Sequence, residues 1–220
     1  MTVKCTPSVL SGTIRAISSK SHAHRVLICA ALSQNKTKIY CNVMSKDIAA
    51  TVDCLKSMGT EISVDGDIIT VVPKPFNKKA EIDCGESGST LRFLMPVVSA
   101  FGIDTRISGS GRLPQRPISP LKEEMEKKGV EISSEFPLYL TGNLQSGEYK
   151  IKGNISSQFI TGLLFALPLL DGESSIELIP PVESKSYLDI TLSVLRQFGI
   201  EIKEKENLYI IKGNQKYISP

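Results

Sequence analysis

The chain has 220 residues, with 26 Lys and Arg against 23 Asp and Glu, a formal net charge of +3, and 41% apolar residues. That length buries a sizeable core without disulfides or metal, and so weak and interspersed a charge argues against nucleic acid or an anionic membrane as partner. No apolar run approaches the roughly 20 residues that span a bilayer, no signal-peptide apolar region opens the chain, and five scattered cysteines without CxxC spacing read as reduced thiols of a cytoplasmic protein.

In chain order the elements fall into three copies of one unit. Residues 13–16 alternate as a strand, and 22–32 contain the unbroken apolar run 26–32, the mark of a helix buried all round. A strand at 38–41 follows. Residues 42–73 then carry Ile48, Val52, Leu55 and Met58 at helical spacing, the stop glycine Gly59, and a hairpin around Asp65-Gly66. The second copy repeats this with a strand at 80–83, an apolar helix at 89–101 and a strand at 105–108. Its segment 112–142 holds Ile118, Leu121 and Met125, then Gly129, Glu131-Ile132 and the run 138–140. The third copy has a strand at 149–152, an apolar helix at 158–170 and a strand at 175–179. Its segment 180–213 holds Leu188, Leu192, Leu195 and Phe198, then Gly199 and strands at 200–203 and 208–211.

The stop glycines 59, 129 and 199 give a period of 70 residues in both intervals, and a repeat this regular dictates the architecture. Each copy reads β-α-β-α-β-β. Three copies about a pseudo-threefold axis give an α/β fold (α+β by some schemes) with three buried helices inside, three amphipathic helices, and small sheets outside. Leu27, Leu94 and Leu164 are expected buried about one axis, with Lys127 and Lys128 exposed. Pro96 and Pro168 are expected to kink or end two of the buried helices.

The chemistry gathers at the helix starts, where free N–H groups and a partial positive charge favour anions. Ser19-Lys20-Ser21 opens the first buried helix, with Arg25 one turn in. The segment 85–90 (Gly-Glu-Ser-Gly-Ser-Thr) opens the second, followed by Arg92, and Ser156-Ser157-Gln158 opens the third. The amphipathic helices open with Ser45-Lys46-Asp47, with Pro114-Gln115-Arg116-Pro117, and with Ser184-Lys185-Ser186-Tyr187. With all six helices parallel, these starts share one face. That face suits a small molecule with more than one anionic group.

Each piece has a plainer reading. A serine before a helix is by default an N-cap worth about 1 kcal/mol. Gly88 alone fits a tight turn, Arg116-Pro117 fits a solvated arginine before an N1 proline, and Arg92 reads equally as a structural ion-pair residue. His22 and His24 are the only histidines, so a His-based zinc site is not expected, and both read as surface or packing residues.

Five separated stretches carry a resemblance: 19–25 (SKSHAHR), 85–93 (GESGSTLRF), 116–121 (RPISPL), 156–159 (SSQF) and 183–191 (ESKSYLDIT). In this order they resemble the first half of the 5-enolpyruvylshikimate-3-phosphate synthase family, over nearly the whole chain. The resemblance implies the repeat fold above and transfer of the enolpyruvyl group of phosphoenolpyruvate to the 5-hydroxyl of shikimate 3-phosphate, a step toward aromatic amino acids that glyphosate inhibits. It implies no metal and no cofactor. By the same resemblance Lys20, Ser21, Arg25, Ser156, Ser157, Gln158, Ser184 and Tyr187 bind shikimate 3-phosphate. Lys20, Gly88, Arg116 and Gln158 bind phosphoenolpyruvate.

Two departures qualify it. Glu86 stands where Asn is usual, and a carboxylate beside an anion site weakens it unless it turns away or pairs with a cation. The family chain is also about twice as long, and its acid/base groups lie in the absent second half, so no catalytic residue is expected here. Residues 1–14 are then expected to belong with the missing C-terminal half, 15–213 to form the shikimate-phosphate-binding domain, and 214–220 to be a crossover tail. Without the other half, residues before about Ser11 and after Gly213 are expected to pack poorly. The chain alone would bind without catalysing. The alternatives are a binding module for a phosphorylated metabolite, a half of the related UDP-amino-sugar enolpyruvyl transferase, which would need a reactive cysteine near 112–116, and a structural domain with no ligand.

Overall fold

Helix caps and stop glycines set most of the boundaries. In the computed structural model, which describes residues 3–9 and 11–220, the first copy comprises α1 (Lys20–Leu32), β1 (Thr37–Tyr40), α2 (Lys46–Ser57), β2 (Glu61–Asp65) and β3 (Ile68–Val72). The second comprises β4 (Lys79–Asp83), α3 (Gly88–Ala100), β5 (Asp104–Ser108), α4 (Leu121–Glu126), β6 (Val130–Ile132) and β7 (Leu138–Gly142). The third comprises β8 (Glu148–Lys152), α5 (Ser157–Ala166), β9 (Ser174–Ile179), α6 (Lys185–Gln197), β10 (Ile202–Lys205) and β11 (Leu208–Ile211). Ser19, Ser45, Ser87 and Ser156 each accept a backbone N–H of the following helix. Gly59, Gly129 and Gly199 all take positive φ, which lets the chain turn from helix into strand without a Cβ penalty.

Two sheets have the same order, β4-β5-β7-β6 and β8-β9-β11-β10, with β4–β5 and β8–β9 parallel and the remaining pairs antiparallel. The first sheet has three strands, β1-β3-β2. The expected strand at 13–16 is not formed: this stretch has no ladder partner among the described residues, and Ile14 and Ile17 are 91% and 75% exposed. Alternation alone makes no strand where no neighbouring backbone accepts its hydrogen bonds.

Helices α2, α1, α6, α5 and α3 pack in a closed ring. Leu27, Leu94 and Leu164 are fully buried, as expected. Phe93 joins the three apolar helices: its ring meets Phe165 edge-on at 5.6 Å and His24 at 6.3 Å. Lys127 is exposed, but Lys128 is half-buried because its ammonium lies over the Tyr149 ring, 5.7 Å from the centroid. The tail also departs from expectation. Tyr217 is buried and its hydroxyl donates to the Phe165 carbonyl at 2.8 Å. Val3 and Val9 are exposed, as expected, while Leu10 lies outside the described residues.

The two prolines act differently. Pro168 ends α5, which passes into a 3-10 turn at Leu167–Leu169. Pro96 leaves α3 running on to Ala100, but it has no N–H for the carbonyl four residues back, that of Arg92. That carbonyl faces Gly162 of α5, where a Cβ would collide with it and press on Pro96 at 3.1 Å. α3 and α5 therefore approach backbone to backbone at this point. Gly162→Ala gains about 1 kcal/mol of helix propensity, yet must separate the helices. We expect net destabilisation of about 1–3 kcal/mol, read from urea midpoints; a variant as stable as the parent would contradict the close contact.

His24 adds a pH dependence. Its ring is fully buried, Nδ1 lies 2.7 Å from Thr51 Oγ1, and Nε2 has no partner among the described residues. Burial lowers its pKa from 6.5 to about 4, against a smaller opposing pull from Asp47. Unfolded chains take up this proton as the pH falls through 6.5, the folded chain only near 4. The contribution to stability is therefore full above pH 6.5 and shrinks toward pH 4, by about 3 kcal/mol in all. His24→Gln is expected to lose distinctly less stability than the parent between pH 7 and 4.5, and equal losses would show that His24 does not titrate this way.

Candidate anion site at the helix starts

Polar contacts tie the first turns of neighbouring helices together. Lys20 Nζ reaches Asp47 Oδ2 at 2.7 Å, joining α1 to α2. Arg25 spans α1 and α6, donating from Nε to Thr191 Oγ1 at 2.7 Å and from Nη2 to the Tyr187 carbonyl at 3.1 Å. Gln158 spans α5 and α3, donating to Ser89 Oγ at 2.9 Å and accepting from Arg92 Nη1 at 2.6 Å. Five helix starts thus share one face.

The sixth does not. The expected helix opening at Pro114-Gln115-Arg116-Pro117 is a 3-10 turn at Leu113–Gln115, and α4 begins only at Leu121. Prolines at 117 and 120 explain this, since a residue before proline is pushed out of the helical region. Arg116 accordingly has φ −76° and ψ 137°. The loop nonetheless delivers its guanidinium to the site: a Cβ on Gly88 would lie 3.0 Å from Arg116 Nη1, 3.4 Å from Arg92 Nη1 and 3.7 Å from Gln158 Oε1. Only glycine leaves the amide end of α3 open beneath two guanidiniums.

Arg92 was equally open to either reading in the sequence, and the structure places it in this cluster. It is 9% exposed, donates from Nη2 to the Pro117 carbonyl at 2.8 Å, and its guanidinium carbon lies 5.1 Å from the Phe159 ring centroid. Its Nε has no partner among the described residues. Burial, then the charge of Arg116, lowers its pKa. Among the described residues no carboxylate lies within ion-pair distance of Arg92 or Arg116. The signal that could have found Arg92 is its position four residues after Gly88, one helical turn on the same face.

Arg25 is 2% exposed and lies over the Phe93 ring at 5.1 Å. Besides Thr191 and Tyr187 it donates to the Ser21 carbonyl at 2.6 Å and to Thr161 Oγ1 at 3.4 Å. Four of the five guanidinium N–H groups are engaged, so one donor remains for a ligand. Burial lowers its pKa to about 10, which leaves it charged at neutral pH.

The loops before α5 and α6 run side by side, with the Glu183 N–H donating to the Gly153 carbonyl at 3.1 Å. Ser156 is the N-cap of α5, so the plain reading holds for its hydroxyl. Ser184 differs: it holds the left-handed conformation, φ 57° and ψ 35°, makes no capping bond, and is exposed. Such a conformation costs a non-glycine residue about 1–2 kcal/mol. Tyr187, in the first turn of α6, is 45% exposed. Lys185, expected on the shared face, pairs instead with Glu204 of β10 at 3.5 Å. Glu86 turns onto the loop at Gly111, where a φ of 56° and the missing Cβ make room for its carboxylate. It has no cation at ion-pair distance among the described residues.

Among the described residues no three His, Cys, Asp or Glu side chains are placed to hold a metal ion, and no helix is long and apolar enough to cross a membrane. The arrangement offers open helix amides, two facing guanidiniums, one buried arginine donor and a lysine on one surface. It suits a ligand with separate phosphate and carboxylate groups.

Comparison with known proteins gives the family. The family model of EPSP synthase (3-phosphoshikimate 1-carboxyvinyltransferase) matches residues 5–220. A 3-phosphoshikimate 1-carboxyvinyltransferase of Clostridium beijerinckii is 43% identical, over 99% of this chain and 53% of its own length. One from Clostridioides difficile is 42% identical, over 98% and 53%. An EPSP synthase structure from Acinetobacter baumannii shares the fold with a TM-score of 0.81 at 23% identity, over 94% of this chain and 48% of that one. The chain belongs to the EPSP synthase family and spans about half the length of the curated relatives it matches.

Proposed function

We propose that the chain is the substrate-binding N-terminal half of a cytoplasmic 3-phosphoshikimate 1-carboxyvinyltransferase. The observation that carries this is the pair of guanidiniums, Arg92 and Arg116, beside the amide end of α3 at Gly88, with no carboxylate at ion-pair distance among the described residues. A buried guanidinium, Arg92, held beside a second, exposed one, Arg116, is costly unless an anion joins them. The phosphate of phosphoenolpyruvate fits that place, with Arg116 supplying charge and Gly88 a close backbone approach. Gln158, fixed by Arg92 and Ser89, stands between it and the second substrate. Shikimate 3-phosphate takes the neighbouring starts of α1, α5 and α6. The remaining Arg25 donor and Ser21 meet its carboxylate, Ser156, Ser157 and Ser184 its phosphate, and Tyr187 its ring. Lys20 reaches both substrates once it leaves Asp47.

In the reaction, the methylene carbon of phosphoenolpyruvate gains a proton and the 5-hydroxyl of shikimate 3-phosphate adds to the adjacent carbon. Phosphate then leaves and the methyl group returns a proton. The half described here binds, orients and neutralises charge. The proton transfers need groups within hydrogen-bond reach of the reacting atoms, and we assign them to the second half. Closure of that half would exclude water and complete the clamp.

A second reading, a module that only holds a phosphorylated metabolite, is favoured by one observation: Asp47, the carboxylate at the α1–α2 start, is already paired with Lys20. The two readings separate by experiment. Shikimate 3-phosphate is expected to shift the NMR resonances of residues at the starts of α1, α5 and α6, with Arg25→Lys weakening binding about tenfold or more. Arg116→Ala is expected to leave that binding intact and abolish the response to phosphoenolpyruvate. The chain alone should release no phosphate, since losing acid/base catalysis alone costs on the order of 10²–10⁴ in rate. Activity regained on adding the C-terminal half of the C. beijerinckii relative supports the transferase. Binding without such rescue supports the module, and no binding refutes both.

A further inference from the structure

A chain of buried polar side chains runs from the core to the start of α3. It begins at His24 of α1, passes through Thr51 of α2 and Thr90 of α3, and ends at Ser87, the N-cap of α3 beside Gly88. Nδ1 of His24 lies 2.7 Å from Thr51 Oγ1, and Thr51 Oγ1 lies 2.7 Å from Thr90 Oγ1. Thr90 Oγ1 then donates to Ser87 Oγ at 2.8 Å, and the Thr90 N–H reaches the same oxygen at 3.2 Å. None of the four residues is more than 1% exposed, so water does not compete for these hydrogens.

Counting hydrogens fixes the direction of the chain, because each hydroxyl has one to give. Thr90 gives its own to Ser87, so the short link between Thr51 and Thr90 takes the hydrogen of Thr51. The Asp47 carbonyl, at 3.4 Å, has the weaker claim on it. Thr51 then has none left for the ring, and the ring must donate from Nδ1. Nε2, without a partner among the described residues, is thereby a bare acceptor. A buried acceptor without a partner is tolerated better than a buried N–H without one, so the two nitrogens agree. At the other end, Ser87 Oγ accepts two hydrogens from Thr90, and its own meets no acceptor among the described residues.

We propose that Ser87 is a further donor to the anion taken at Gly88, and that His24 is the positioning residue that aims it, acting through Thr51 and Thr90. The inference rests on the reading of Gly88 as the phosphate seat. Ser87 and Gly88 are consecutive and both buried, and the first side chain a Cβ on Gly88 would meet is Arg116, which is exposed. An N-cap serine ordinarily only accepts, from the N–H groups of its own helix. Here the hydrogen supplied by the ring, passed along two threonines, commits Thr90 to donate and leaves the Ser87 hydrogen for the ligand. Without that supply the last link can reverse. Ser87 then donates back to Thr90, and the site loses one donor.

Two measurements test this. Ring nitrogen NMR shifts of His24 at neutral pH are expected to place the hydrogen on Nδ1 and none on Nε2. Inorganic phosphate and phosphoenolpyruvate are then titrated into the parent, Thr51→Val, Ser87→Gly and the double variant, read at the Gly88 and Ser89 amides. Thr51→Val is expected to weaken both ligands about fivefold or more, while shikimate 3-phosphate binding stays within about twofold. Ser87→Gly keeps most of the capping and is expected to weaken them similarly. In that background Thr51→Val should add less than about twofold, since both changes remove one donor. His24→Leu should repeat the loss and His24→Asn, whose amide N–H can stand in for Nδ1–H, should restore affinity, which keeps the test open if Thr51→Val folds poorly. A hydrogen on Nε2, additive losses, equal weakening of shikimate 3-phosphate, or anion binding that Thr51→Val leaves unchanged overturns this inference alone. A parent in which neither phosphate nor phosphoenolpyruvate moves the Gly88 amide overturns it together with the phosphate seat.

Discussion

The backbone contact between α3 and α5 sets the rest of the site. Pro96 withholds a hydrogen from the Arg92 carbonyl, and Gly162 gives that carbonyl room against the neighbouring helix. The two helices lock in register at this point. Gly162 stands one turn after Gln158, and Arg92 one turn after Gly88, so the same register sets Gln158 Oε1 against Arg92 Nη1 at 2.6 Å. A packing detail in the core thus fixes the positions of three groups at the surface. Were the helices separated by a methyl group, the hydrogen bonds would lengthen before the fold failed.

The pseudo-threefold plan explains why the site is asymmetric although the scaffold is not. Five helix starts converge, while the sixth is replaced by a proline-rich loop that ends in the short α4. Losing one helix start removes one set of open amides but frees Arg116 to reach across to Gly88 from outside the ring. A guanidinium on an extended loop reaches farther than an amide fixed on a helix. The arrangement exchanges a fixed partial charge for a full, movable one.

Much of this was legible in the sequence. The 70-residue period located all three copies, the three stop glycines adopt the positive φ that their position demands, and the unbroken apolar runs marked the buried helices. What failed has local causes. The strand at 13–16 was read from alternation, which reports a half-buried face but not whether a neighbouring backbone exists to pair with. The helix expected at 114–117 ignored the rule that the residue before each proline leaves helical space. The tail after Gly213 was expected loose, but a tyrosine four residues on finds both a buried ring site and an acceptor at Phe165. Arg92 was undecided because sequence shows a charge among apolar residues without showing what it touches. Lys185 read as a site cation from its place at a helix start, yet Glu204, far along the chain, claims it.

The site stores an imbalance that its ligand would relieve. Arg92 is buried with Nε unsatisfied and a second guanidinium nearby, and both burial and that neighbour disfavour its charged form. Arg25 avoids the same penalty by engaging four of its N–H groups with the protein and resting on Phe93. The two buried arginines therefore differ in what they ask of a ligand. Arg25 is already organised and would gain little stability from an anion, so under the proposed function it would serve as a fixed reference for orientation. Arg92 and Arg116 gain a compensating charge when an anion arrives, so their share of the binding energy includes relief of strain in the free protein. Any ligand bound only by the folded chain stabilises it, by about 2.7 kcal/mol at 100 times its dissociation constant. In a protein whose stability is itself only about 5–15 kcal/mol, an anion bound as proposed at Gly88 would become part of what holds α3, α5 and the Arg116 loop together.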